Sequence, residues 1–146
     1  RGFSETEGWR HGVAHGSDLV LQLVLNPNID AAQIERLMNA VATQVAPDGE
    51  VSYIYGEPGR LARAVFYAWA REIVAPVFWQ AWFAGIENPG PLGNWNDAFA
   101  SQAGLARRHN TVAFLLALHL NATTAGKLAE PLDVLVMQAL TRVQGG

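Results

Sequence analysis

The sequence predicts an all-α fold, and three observations carry the prediction. Strand signals are scarce: VSYIY, Val51 to Tyr55, is the one short β-like run. Apolar residues recur at helical spacing through most of the chain. Proline and glycine clusters cut that pattern into helix-length pieces. With 146 residues, half of them hydrophobic, the chain has the size and the core of a single domain. Five to seven helices in antiparallel succession follow, arranged as an α-α superhelix or as an irregular bundle.

The first helix is expected from about Glu7 to Leu25, where Asn26-Pro27 stops it. Asp30 reads as the cap of a second helix, with Gln33 completing a capping box. Ile34, Leu37, Met38, Val41 and Val45 form its apolar face, and Pro47-Asp48-Gly49 ends it. A third helix is predicted from near Pro58, a favoured first-turn residue, with Leu61, Val65, Phe66 and Trp69. Pro76 ends that segment and opens another, holding Phe78, Trp79, Trp82 and Phe83, aromatic residues expected in the packing between helices.

GIENPGPLGNWND is a loop by composition, long for a helix–helix connection. The next helix is expected from Asn96 or Asp97 to Leu120, broken near Gly104. Residues 111–120 are apolar on nearly all sides, which predicts a central, buried helix. The last helix is expected between Thr124 and Val143, with Pro131 in its first turns or at a kink.

The segment EGWRHGVAHGSDL, Glu7 to Leu19, carries the strongest functional signal. On a helix, His11, His15 and Asp18 fall within about 60° of one another, and Gln22 continues the stripe. Trp9, Val13, Val20 and Val24 form the opposite, core-facing stripe. Gly8, Gly12 and Gly16 lie in a line between the two. Each interior helix glycine costs about 1 kcal/mol against alanine, so the line implies that something presses on that flank.

Two chemical readings follow. His11 and His15 can converge on a divalent metal such as zinc, with Asp18 or Glu57 completing the site. A carboxylate would then accept a proton from metal-bound water, the chemistry of a hydrolase. This spacing lacks the glutamate of HExxH. In the other reading the stripe is a structural or binding surface, and Asp18 pairs with Arg60 or Arg63. An interaction or scaffold domain whose polar stripe lines a groove is the preferred function class.

Other polar candidates have plainer roles. Glu57 and Arg60 sit at a predicted helix start, where a carboxylate complements the dipole. In RRHNT, Arg107 to Thr111, an arginine could hold an anion, while Asn110 is expected to bond a loop. His119, inside VAFLLALHL, reads as a satisfied core residue. No phosphate loop and no GxSxG elbow is present.

Ten basic against thirteen acidic residues give a net charge of −3, which argues against a nucleic acid partner. The longest apolar run is half the length of a membrane span. With no cysteine, thiolate metal sites and disulfides are excluded.

RGFSETEGWRHGVAHGSDL resembles the signature of the DUF2785 proteins, an uncharacterised bacterial family, through Arg1, Gly2, Phe3, Gly8, Trp9, His11, His15 and Asp18. EPGRLA resembles a second element of that family through Glu57, Arg60, Leu61 and Ala62. The resemblance implies a HEAT-like helical arrangement. It also implies that the chain is the C-terminal half of a longer protein. It implies no activity.

Overall fold

The computed structural model describes residues 2–145. It is all-α apart from one small hairpin: β1 (Gly2–Ser4) and β2 (Gly8–Arg10) pair antiparallel, with Phe3 opposite Trp9. Six helices follow: α1 (Gly12–Leu25), α2 (Ala31–Val45), α3 (Glu57–Ala70), α4 (Pro76–Ile86), α5 (Gln102–Ala125) and α6 (Glu130–Gly145). α1, α3 and α5 pack side by side in one layer, and α2, α4 and α6 in a second.

The hairpin corrects the first helix boundary. Residues 7–11 are not helical, because Gly8 takes φ +73° and the chain doubles back through the turn that precedes it. A left-handed residue cannot propagate a right-handed helix. Helix α1 therefore starts five residues later than the sequence pattern suggests, and His11 becomes its N-cap. Arg1 lies outside the described residues, as does the side chain of Trp9.

The second helix matches its expected chemistry. Asp30 accepts the Gln33 amide hydrogen at 2.8 Å, and the Gln33 side chain accepts that of Asp30 at 2.9 Å. Ile34, Met38, Val41 and Val45 are its buried face. In α3 and α4 the prolines occupy the first turn, where a missing amide hydrogen costs nothing. VSYIY forms no strand; it runs as an irregular segment across α5.

The long loop before α5 is tightly built. It contains 3₁₀ turns at Gly90–Leu92 and Trp95–Ala100, and Ser101 caps α5 by accepting the Gly104 amide hydrogen at 3.0 Å. The expected start at Asn96 or Asp97 thus falls in a 3₁₀ turn rather than in the helix. The expected break at Gly104 is absent. A side chain there would put Cβ 2.5 Å from the Ala98 carbonyl oxygen, so the glycine serves close packing of the helix on the preceding turn. Gly126, at φ +71°, ends α5, and Pro131 lies in the first turn of α6.

The core joins Ile34, Met38, Leu61, Val65, Phe114, Leu115, Leu118, Leu132 and Val136 with the aromatic residues of α4. Trp79 and Trp82 meet edge to face at 6.1 Å, and Trp82 meets Phe114 at the same distance. Trp82 donates its indole hydrogen to the Met38 carbonyl at 2.9 Å, which satisfies the polar end of a buried ring. Helix α5 is only partly central. Phe114, Leu115 and Leu118 are buried, yet Leu105, Leu116 and Leu120 face outward.

One structural residue carries no sequence signal. Arg71, just past α3, donates to the carbonyls of Val24 at 2.8 Å, Asn26 at 2.9 Å and Ile29 at 3.0 Å. Val24 and Asn26 lie at the end of α1, where carbonyls lack helical partners, and Ile29 lies in the connection to α2. A single guanidinium with five donors satisfies all three.

Candidate functional site

Of the predicted polar stripe, His15 and Asp18 lie in α1 and His11 is its N-cap. His11 and His15 are exposed, and their rings stack with centroids 5.2 Å apart and planes 17° from parallel. Asp18, one turn further, is ion-paired with Arg60 of α3. Arg60, not Arg63, is its partner, and both members of the pair are nearly half exposed. At such exposure the pair contributes about 0.2–1 kcal/mol. A double-mutant cycle on Asp18→Asn and Arg60→Gln should return a coupling in that range. A coupling above about 2 kcal/mol would mean that the pair is far better shielded than its exposure indicates.

The core face of α1 is centred on Ala14, Ser17, Leu21 and Val24, with Val13 and Val20 partly buried. Ser17 returns its hydroxyl hydrogen to the Val13 carbonyl at 2.7 Å. The glycine line does not extend to Gly8, which belongs to the hairpin. Nor does anything in the chain press on Gly12 or Gly16: a Cβ at either would meet nothing within 4 Å. The two glycines instead open onto a groove of about 410 Å³ between α1 and α2, lined by Val13, Val20, Ala40, Val41 and Leu61. Since Gly16 is an interior helix residue with open space above it, Gly16→Ala should raise stability by about 0.5–1 kcal/mol. Urea unfolding checks this; a loss of stability would reveal a contact on that flank.

Glu57 is buried, 4 % exposed, and accepts the Tyr55 amide hydrogen at 2.9 Å in the first turn of α3. Among the described residues no three His, Asp or Glu side chains come together as a metal-binding group. The donor set of the metal reading is therefore not assembled: the imidazoles stack, Asp18 is engaged by Arg60, and Glu57 closes a turn. Asn110 is fully buried, accepts the Tyr53 amide hydrogen at 2.7 Å and donates to the Val51 carbonyl at 2.9 Å. His109 meets the Tyr53 carbonyl at 3.1 Å. Together they hold residues 51–53 against α5, as the loop-bonding expectation for Asn110 requires.

The arginines of RRHNT lie within α5 and hold no anion-binding arrangement of their own. Arg107 donates to the Ala46 carbonyl at 3.2 Å, and Arg108 lies over the Phe99 ring at 5.2 Å. His119 is not a core residue. Its Nδ1 lies 2.5 Å from Asp133 of α6, on a partly exposed face.

A family model described as a protein of unknown function, DUF2785, matches residues 1–120. The chain belongs to the DUF2785 family. No curated protein and no solved structure shows a significant match. Within this DUF2785 chain the two segments that carry the family resemblance are distant in sequence and joined in the fold. Asp18 of the first and Arg60 of the second are the ion pair that ties α1 to α3 across 42 positions. Leu61, from the second segment, lines the groove beside Gly12 and Gly16.

Proposed function

We propose that this domain binds a segment of a protein partner along α1, as a helical interaction module. One observation carries the reading: an apolar groove and an exposed polar ridge run along the same helix, separated only by Gly12 and Gly16. The groove offers Val13, Val20, Val41 and Leu61 to apolar side chains. The ridge of His11, His15 and the Asp18–Arg60 pair offers hydrogen bonds at its edge. The bare glycine backbone between them admits close approach. Stacked helix pairs of the HEAT-like kind present such surfaces, and that arrangement fits the two helix layers.

A photo-crosslinking residue placed at His15 in cells should give discrete adducts that disappear when Gly16→Leu fills the groove. The same residue placed at Gln138 of α6 should give none of them. Equal labelling at both positions would refute the reading. An adduct to an upstream segment of the same protein would make the groove a stacking surface between helix pairs instead. The metal-dependent hydrolase is the weaker proposal, because its ligands are not gathered. Elemental analysis of protein purified without chelator tests it: one zinc per chain, lost in His11→Ala and His15→Ala, would reverse the preference.

A further inference from the structure

The two helix layers differ in charge. Helices α1, α3 and α5 carry four arginines, Arg60, Arg63, Arg107 and Arg108, against two carboxylates, Asp18 and Glu57. The remainder of the chain carries six basic against eleven acidic residues. A chain of net charge −3 thus has one layer with an excess of positive charge. All four histidines belong to that layer, His11 as the cap of α1, and each adds positive charge when protonated. Such an asymmetry sets which sign of partner approaches each face.

Both carboxylates of the layer are already engaged. Asp18 is paired with Arg60, and buried Glu57 accepts the Tyr55 amide hydrogen. Three of the arginines are engaged as well: Arg60 by Asp18, Arg107 by the Ala46 carbonyl, and Arg108 over the Phe99 ring. Arg63 is different. It is exposed, and among the described residues it has no hydrogen-bond or ion-pair partner. Helix α3 packs between α1 and α5, so its exposed side points away from the second layer. Arg60, Arg63 and exposed Tyr67 fall there within about 60° of one another.

This side of α3 adjoins the α1 surface. Arg60 reaches Asp18 of α1, and its neighbour Leu61 lines the groove. None of the residues that line the groove is charged, on α1, on α2 or on α3. The charge that a segment lying along α1 would meet therefore comes from the α3 side. A helix about 10–12 Å across is wide enough to reach from the groove to α3. Its carboxylates would find a guanidinium that can give two parallel hydrogen bonds to one carboxylate. A basic segment would meet like charge instead.

We infer that the segment bound along α1 is acidic, with an aspartate or glutamate of the partner held by Arg63. The inference rests on the groove reading above and adds the chemistry of the partner to it.

Selection of a random displayed peptide library against the whole chain tests it, followed by anisotropy titration of the enriched peptides. The enriched peptides should combine apolar residues with Asp and Glu. Arg63→Glu should weaken their binding at least about tenfold, as loss and reversal of a paired charge does. The melting temperature should stay unchanged, since Arg63 is exposed. Changing the acidic residues of such a peptide to Lys should restore binding to Arg63→Glu, which a merely structural role for Arg63 would not do. Gly16→Leu should abolish binding of both peptides. Neutral or basic peptides that are lost with Gly16→Leu overturn the acidic partner and leave the groove reading standing. Acidic peptides indifferent to Arg63→Glu also overturn it. Acidic peptides that respond to Arg63→Glu but not to Gly16→Leu support the Arg63 contact and refute the groove. A library that enriches nothing overturns both. A labelled single-stranded oligonucleotide that binds the chain and is lost with Arg63→Glu overturns the inference too, since the face would then hold phosphates.

Discussion

Asn110→Ala should lower stability by about 3 kcal/mol, because it removes the partner of one buried and one partly buried backbone group at once. The Asn110 side chain is fully buried and bonds both the amide hydrogen of Tyr53 and the carbonyl of Val51. Losing the partner of a buried polar group costs about 1–3 kcal/mol, far more than the net gain from an average hydrogen bond. Two such losses add to a large fraction of the whole stability of a domain this size. Alanine also leaves a cavity between the loop and α5. Urea unfolding should show a lower midpoint with an unchanged slope. The Tyr53 amide should exchange its hydrogen faster, since its acceptor is gone. Asn39→Ala, on the exposed side of α2, should change stability by less than about 0.5 kcal/mol. A loss below about 1 kcal/mol for Asn110→Ala would show that water or a shifted loop replaces both bonds at little cost.

Gly104→Ala should be destabilising by about 2 kcal/mol, against the usual direction of this change in a helix. A Cβ there would lie 2.5 Å from the Ala98 oxygen and 2.8 Å from its Cα, and these are backbone atoms that cannot rotate away. Overpacking of this kind costs about 1–3 kcal/mol or more, and the propensity gain of about 1 kcal/mol offsets only part of it. The melting temperature should fall by about 4–8 °C. Gly16→Ala, the same substitution in a helix of the same layer, should raise it. Equal shifts for both would mean that the 3₁₀ turn at Trp95–Ala100 yields freely to α5.

The contrast between these two glycines explains how far the sequence can be read. Local features were legible. The Asp30–Gln33 capping box, the prolines opening α3 and α4, and the apolar face of α2 are written within a few residues of where they act. The contact of His11 with His15, four residues on, also agrees with helical spacing. The environment of each glycine was not legible, since propensity says only that glycine weakens a helix. Gly104 reads as a break and is a packing contact; Gly12 and Gly16 read as covered and are open. The amino-terminal hairpin is not legible, because its strands are three residues long and no alternating pattern marks them. The exposed side of α5 escaped because an apolar helix looks buried until its neighbours are known. Arg71 could not be found at all, because its partners are backbone carbonyls, which every residue possesses.

That arginine sets an order of assembly. The corner between α1 and α2 contains three carbonyls whose shared donor lies beyond the end of α3. During synthesis the first two helices therefore leave the ribosome with an unlatched joint. It closes only when residue 71 has emerged and α3 has docked. Until then the Asn26–Ile29 connection lacks the three hydrogen bonds that fix it in the finished domain, and any event that frees α3 removes them again.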